Sequence, residues 1–550
     1  MKRQYSSIVR GMGIALAWCL TVVLSSCAST PPSSPATSSS TATAKPVLGN
    51  VAIFTPSDGI TLSQHTPLNK WAAFPPELEE ALLSQGFSQN HITQESAKSL
   101  DKQSQQVQDY VVSHVATNAK GDTSAQATSL LVAPVVDTSS VSRQYGDYVS
   151  HPMRLTTDSD ATSQSDSLDH SETSEDTRQK GSASKQSAAE QEVAAYQRLL
   201  KALELAQKNG MHVVLLSNDM RELTPNLLVT MSDPERIGQI QAQQLVNKLE
   251  LDKASKDNPR YIEVLIPTDF PKSNDETASP LLADSTSAQE IFKGMWQVLS
   301  PYFQDGRAVS PSGLLNTTSN LDSWSAVAFD PGSDTSATVQ ELNKRLSYGS
   351  KSNKDDITRV DGIIASNDFI AAGVTTALGS LGYKGSSADI NPEISIGSIV
   401  GNMTGKKDVQ RRSVPRPRAS QASPGSDSSN GSSNEGSSQG SSESDQQSAA
   451  AHWPIVTGYG SYIDNLPHVV DGQQWMTALE DRLGLAKELA TICASFNQGQ
   501  ELKGQANIAS RELQGRRIQN LVQPLTAVSA SNLKSALIDP GYIRPADAGL

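Results

Sequence analysis

The sequence predicts an α/β protein built on parallel sheets. Short apolar runs alternate along the chain with amphipathic stretches of helical spacing, which is the pattern of strands whose two faces are covered by helices. Two long polar segments interrupt this alternation, and the hydrophobic fraction of 37% is low for a wholly packed chain, so part of the 550 residues stands outside the core. That length leaves room for two or three domains.

The first ten residues carry Lys2, Arg3 and Arg10, and Gly11 to Leu24 is apolar and uncharged. These are the charged and apolar regions of an export signal over residues 1–26. The apolar run is about fourteen residues, short of the roughly 20 that cross a bilayer as a helix. It ends in Leu24-Ser25-Ser26-Cys27, which resembles the bacterial lipobox. The resemblance implies that Cys27 is lipidated and opens the mature chain, the alternative being an ordinary secretory signal cleaved nearby. Residues 27–48, rich in Ser, Thr, Ala and Pro, bury too little to offset the entropy of ordering them and read as a flexible tether.

Strand-like runs follow at Val51 to Phe54, Leu130 to Val136, His212 to Leu216, Tyr261 to Ile266, Gly362 to Ala365 and Ile455 to Thr457. Helical patterns lie between them at Pro76 to Leu83, Val193 to Lys208, Pro234 to Leu249, Ala288 to Leu299, Thr338 to Leu346 and Phe369 to Leu381. The interruptions run from 137 to about 190 and from 405 to about 451, and their Ser, Thr, Asp, Gln, Gly and Asn content predicts two disordered inserts. The second opens with a basic patch from Lys406 to Arg418, a surface for anionic lipid or wall polymer, or simply a solvated loop.

Of three cysteines, Cys19 leaves with the signal and Cys27 is the lipid site, so the mature chain has no intrachain disulfide. Cys493, inside the apolar run Leu485 to Phe496, reads as a buried inert thiol. A net charge of −13 argues against a nucleic-acid surface. The eight histidines are scattered, there is no His-x-x-x-His, Cys-x-x-Cys or P-loop, and the one Gly-x-Ser-x-Gly, Gly436 to Gly440, lies in the second insert without a strand or helix to build a nucleophile elbow. Neither an enzyme, a metal nor a cofactor is expected.

Seven segments in order resemble type I periplasmic solute-binding proteins, specifically the xylose and multiple-monosaccharide branch of ABC importers. They are Val51-Ala52-Ile53-Phe54; Asn69-Lys70-Trp71; Leu131-Val132-Ala133-Pro134-Val135; Asn209 to Val214; Asp361 to Asp368; Val456-Thr457-Gly458; and Gly472 to Thr477 with Leu485-Ala486-Lys487-Glu488. The tail, Pro524 to Tyr542, is similar to the C-terminal extension of that branch. The resemblance implies two Rossmann-like lobes joined by a three-stranded hinge, with crossovers near Leu227 to Ser232, Thr457 to Ser461 and Gly515 to Leu525. The lobes would span 49–228 and 229–458, with 459–520 returning to the first and 521–550 lying on the second.

The same resemblance implies a monomer that holds a small carbohydrate in the interlobe cleft and meets ABC permease subunits at the membrane to which its lipid ties it. Hydroxyl-rich rings need aromatic planes and side chains that donate and accept in pairs. By matching position these would be Asn367 and Asp368, Trp71 as stacking ring, Lys70 in place of an arginine, and Asn274. Asp368 could instead cap the following helix, and Trp71 could be tucked into its lobe. Two positions depart from the pattern. Ser217-Asn218, with Asp219 one residue late, stands where Asp-Arg is usual, and Tyr459-Gly460 where Gln-Asp is usual. With a carboxylate missing there, Tyr459 would supply a ring face and one hydroxyl. A degenerate paralogue acting as a surface sensor or interaction lipoprotein is the alternative.

Overall fold

The structure is a computed structural model and describes residues 48–58, 66–119, 127–153, 179–269, 287–347, 357–388, 452–502, 507–513 and 515–550. The export signal, Cys27, most of the tether, Asn274 and the insert at 405–451 lie outside them.

The first sheet contains β1 (Asn50–Pro56), β2 (Ile92–Ala97), β3 (Thr128–Val132), β4 (His212–Leu216) and β5 (Leu227–Thr230). They are parallel, in the order β2-β1-β3-β4-β5. The second repeats this order with β6 (Arg260–Val264), β8 (Ala308–Val309), β10 (Gly362–Ile364), β11 (Ile455–Thr457) and β12 (Met476–Leu479), as β8-β6-β10-β11-β12. A short ribbon joins β7 (Ile266–Pro267) to β9 (Ala328–Phe329). The first sheet is extended by β13 (Ile508–Leu513) and β14 (Arg516–Val522), and the second by β15 (Thr526–Ser529), antiparallel to β12.

The helices are α1 (Phe74–Gln85), α2 (Leu100–Ala119), α3 (Ser140–Arg143), α4 (Gln179–Lys208), α5 (Pro234–Lys248), α6 (Ser287–Gln304), α7 (Trp324–Val327), α8 (Ser336–Ser347), α9 (Asp368–Ser380), α10 (Leu466–Asp471) and α11 (Arg482–Asn497). Alternation along β1 sends Val51 and Ile53 into a core with Leu78 and Leu82 of α1 and Leu489 and Cys493 of α11. Ala52 and Phe54 enter the opposite core with Val107 of α2 and Leu199 and Leu203 of α4. The second sheet is covered by α5 and α6 on one face and α8 and α9 on the other. Helices α5 and α6 pack backbone to backbone: a Cβ on Gly238 would stand 1.9 Å from the Ile291 carbonyl oxygen, and one on Gly294 1.8 Å from that of Glu235.

Three crossings join the sheets. Met231 to Asp233 links β5 to α5, Glu480-Asp481 links β12 to α11, and Gln523 to Leu525 links β14 to β15. The second crossing therefore lies well beyond Thr457 to Ser461. Strand β12 still pairs with β11 and β15 in the second sheet, and the chain returns to the first lobe only from α11 onward, continuing through β13 and β14.

The first insert also begins later than its composition predicts. Residues 137–153 are packed, with Tyr145, Tyr148, Val149 and Met153 all buried. Residues Gln179–Lys208 are helical, so the described structure brackets only 154–178. Cys493 is buried, which pushes its thiol up to about 12. No helix among the described residues is long and apolar enough to cross a membrane.

Candidate ligand site between the lobes

In open sheets of order 2-1-3-4-5, ligands bind beyond the carboxyl ends of the strands where the order reverses, here between β1 and β3 and between β6 and β10. After β10 the chain turns at Ser366, and Asn367 caps α9, its Oδ1 accepting from Ile370 N at 2.9 Å. Asn367 Nδ2 donates to Gln144 Oε1 of the first lobe at 3.2 Å. The Asp368 side chain is engaged within the second lobe. Its Oδ1 accepts from Gln474 Nε2 at 2.7 Å, and its Oδ2 from Tyr462 N at 2.9 Å and Thr477 Oγ1 at 2.8 Å. Burial pushes this carboxyl up to about 6 in spite of those bonds. The carboxylate comes so close to Gly458 that a Cβ there would meet Oδ1 at 2.3 Å, which accounts for the Thr-Gly turn.

Tyr459 is fully buried and donates to Ser232 Oγ at 2.7 Å, at the first crossing. Ser232 N donates at 2.6 Å to Glu480 Oε2, at the second crossing. Asn69 lies beside the Tyr459 hydroxyl. Neither polar atom of its fully buried carboxamide has a well-formed hydrogen bond, and the same holds for Glu480 Oε1 and Ser461 Oγ. Around Tyr459, therefore, the Asn69 carboxamide and the Glu480 carboxylate keep part of their hydrogen-bonding capacity weakly engaged. Ser217, Ser232, Ser366 and Ser461 all take positive φ, between 43° and 64°, at or just beyond strand ends. Left-handed backbone costs a non-glycine residue roughly 1–2 kcal/mol. Three of these hydroxyls are tied, Ser217 to Tyr148 O, Ser232 to Tyr459 and Ser366 to Tyr145.

The first-lobe residues gather on the stretch from Gln144 to Met153. Lys70 Nζ pairs with Asp147 Oδ1 at 3.1 Å. Trp71 is only 3% exposed, with its ring covered by Tyr148 at 4.8 Å and Phe74 at 6.1 Å, so it is core and presents no free face. Asp58, beside Asp147, is pushed up to about 7 by burial and by that neighbour's charge. Asn218 Oδ1 accepts from His151 N at 2.8 Å, and its Nδ2 donates to Pro134 O at 3.0 Å. Asp219 is held by Arg516 of β14 at 2.6 Å. Thus Asn367, Asp368 and Tyr459 are brought together, Lys70 and Trp71 form a second group, and Asn274 lies outside the described residues. A separate open groove of about 530 Å³, near Asn50, His91, Tyr110 and His114, sits at the opposite end of β1.

Two sheets of order 2-1-3-4-5 joined by three crossings make the type I periplasmic-binding-protein fold. No protein-family model matches the chain, and no curated protein matches it. Among solved structures it is similar to an ABC transporter solute-binding protein from Clostridium phytofermentans with bound β-D-glucose, at 17% identity over 90% of this chain and 99% of that one, TM-score 0.43. It is similar to a carbohydrate transporter solute-binding protein from Chloroflexus aurantiacus in complex with D-glucose, at 16% identity over 91% and 98%, TM-score 0.43. A sugar ABC transporter structure from Actinomyces odontolyticus is similar at 11% identity over 89% and 98%, TM-score 0.43.

Sequence reasoning missed Gln144, Tyr145, Ser232, Tyr462 and Glu480, and quoted Asn69 only as a neighbour of Lys70. The signal for the first pair was present. Tyr145, Tyr148 and Val149 are large apolar residues inside a segment otherwise too polar to pack. No such signal marks Glu480, because a lone carboxylate after a strand reads as surface.

Proposed function

We propose that this chain is the extracytoplasmic solute-binding lipoprotein of an ABC importer, anchored through Cys27, and that it holds a small polyhydroxylated molecule, a monosaccharide or close relative, between its lobes. The observation that carries the reading is the buried polar group around Tyr459, in which the Asn69 carboxamide and Glu480 Oε1 lack a well-formed hydrogen bond. A ligand with several hydroxyls both donates and accepts, and so matches amide, carboxylate and hydroxyl together. Asn367 and Tyr459 contribute from the second lobe, while Asp368 positions the Tyr462 backbone behind them. Lys70, Asn218, Asp219 and Asn274 remain candidate contacts for an opened cleft.

Calorimetric titration of the mature protein with D-glucose, D-xylose, D-ribose, L-arabinose and maltose tests this. Heat is expected with at least one sugar. Asn69→Ala should weaken that binding by on the order of 10-fold or more while changing thermal stability little, because the carboxamide makes no well-formed hydrogen bond in the fold. No heat from any sugar would favour the second reading, a degenerate paralogue that acts as a surface interaction protein. One observation supports that reading: the chain's own Gln144 and Tyr145 lie against the positions where a ligand would sit.

A further inference from the structure

The stretch between Gln144 and Met153 belongs covalently to the first lobe, yet its side chains alternate between the two lobes. Tyr148 packs with Trp71 and Phe74, and Met153 with Met220, in the cores of the first sheet. Tyr145 and Val149 are buried instead in the core of the second lobe, with Ile237, Ile364 and Tyr459. Polar contacts follow the same division. Asp147 and Tyr148 bind Lys70 and its carbonyl, and Ser150 Oγ donates to Met231 O at the first crossing at 2.9 Å. Across the gap, Gln144 Oε1 accepts from Asn367, the Gln144 carbonyl accepts from the Tyr462 hydroxyl at 2.9 Å, and the Tyr145 hydroxyl bonds Ser366 Oγ at 2.9 Å. Gly146 passes so near Asn69 that a Cβ there would stand 3.1 Å from Asn69 Cβ.

Closure of a two-lobed protein requires contacts made only in the closed form, and a bound ligand normally supplies them. Here the chain supplies them itself. We infer that Gln144 to Val149 is an internal occupant of the interlobe site: it latches the lobes together without ligand, and a small molecule binds there only by displacing it. The displacement half of this inference rests on the function proposed above; the latch does not.

Small-angle X-ray scattering of the full mature protein separates the two. Wild type is expected to be equally compact with and without the five sugars. Gln144→Ala/Tyr145→Phe removes two interlobe hydrogen bonds and keeps the ring, shifting the open-to-closed ratio by on the order of 10- to 100-fold. Its radius of gyration should rise while its cooperative melt persists. Tyr145→Ala should open the lobes further, and the milder pair decides the matter if that variant does not fold. A folded double variant as compact as wild type would overturn the latch, as would a wild type that is expanded alone and contracts on adding sugar. A sugar that binds the double variant at least 10-fold more tightly than wild type establishes displacement, and equal affinity overturns it. A variant that opens but binds none of the five sugars upholds the latch and removes the carbohydrate reading.

Discussion

Glu480 stands at the second crossing with Oε2 on Ser232 N and Oε1 without a partner. Burial pushes this carboxyl up from 4.5 to about 7, with Arg236 nearby pulling it back. Between these values the folded chain holds the proton more tightly than the unfolded chain, so this group's contribution to stability falls as pH rises through the window. Glu480→Gln keeps an acceptor for Ser232 N and removes the buried charge. The variant is therefore expected to gain up to roughly 3 kcal/mol on wild type at pH 8, the two converging near pH 5 in urea unfolding. Asp58 and Asp368 act in the same direction. His151, held near 4 by burial, acts in the opposite one, since stability is lost as pH falls below its ordinary 6.5. The difference between variant and wild type isolates Glu480. At this scale the sequence spoke unevenly. Asn367 and Asp368 stood out by matching position to the family's strand ending in Asn-Asp, and the cap considered for Asp368 falls instead to Asn367. Trp71 was misleading because an indole suited to stack on a sugar is equally suited to fill a core beside Tyr148 and Phe74.

Among the elements, β1, β4, β10, α5, α6 and α9 were legible, since each is a run of apolar residues at one period bounded by a cap or turn. Asp233 before Pro234 is such a boundary, accepting from Glu235 N at 2.9 Å. The ordered start of the first insert was not legible, because composition averaged over fifty residues hides the buried side chains of Val141, Tyr145, Tyr148, Val149 and Met153. Its packing changes what a deletion should do. Tyr148 is fully buried against Trp71 and Phe74. Tyr148→Ala is expected to cost about 3–5 kcal/mol in urea unfolding, the range for emptying a buried aromatic site. A loss below 1 kcal/mol would mean that the segment is peripheral. Chain shortening inside 140–153 should accordingly not be tolerated.

For the molecule as a whole, alternation of strand and helix gave the class, but where the chain changes lobes was less visible. Tyr459-Gly460 resembles a turn out of the second lobe, whereas β12 adds one more strand first. Membrane attachment belongs to this scale too. Cys27→Ser is expected to move the protein from the membrane to the soluble fraction with loss of acyl label, and retention of the variant in the membrane would remove the anchor from the proposal.

The three crossings have a consequence for the order in which the chain can acquire structure. Asn497 Nδ2 bonds the carbonyls of Leu48 and Asn50, contacts spanning 449 and 447 residues. The first sheet gains β14 only at Arg516–Val522, and the second gains β15 only at Thr526–Ser529. Neither lobe is a contiguous stretch, so during synthesis both stay unfinished, each with an unpaired strand edge, until nearly the last of these residues has emerged. Pairings this distant in sequence form slowly. An emerging chain of this design is exposed to proteases and to neighbouring copies for longer than one whose halves complete themselves in turn.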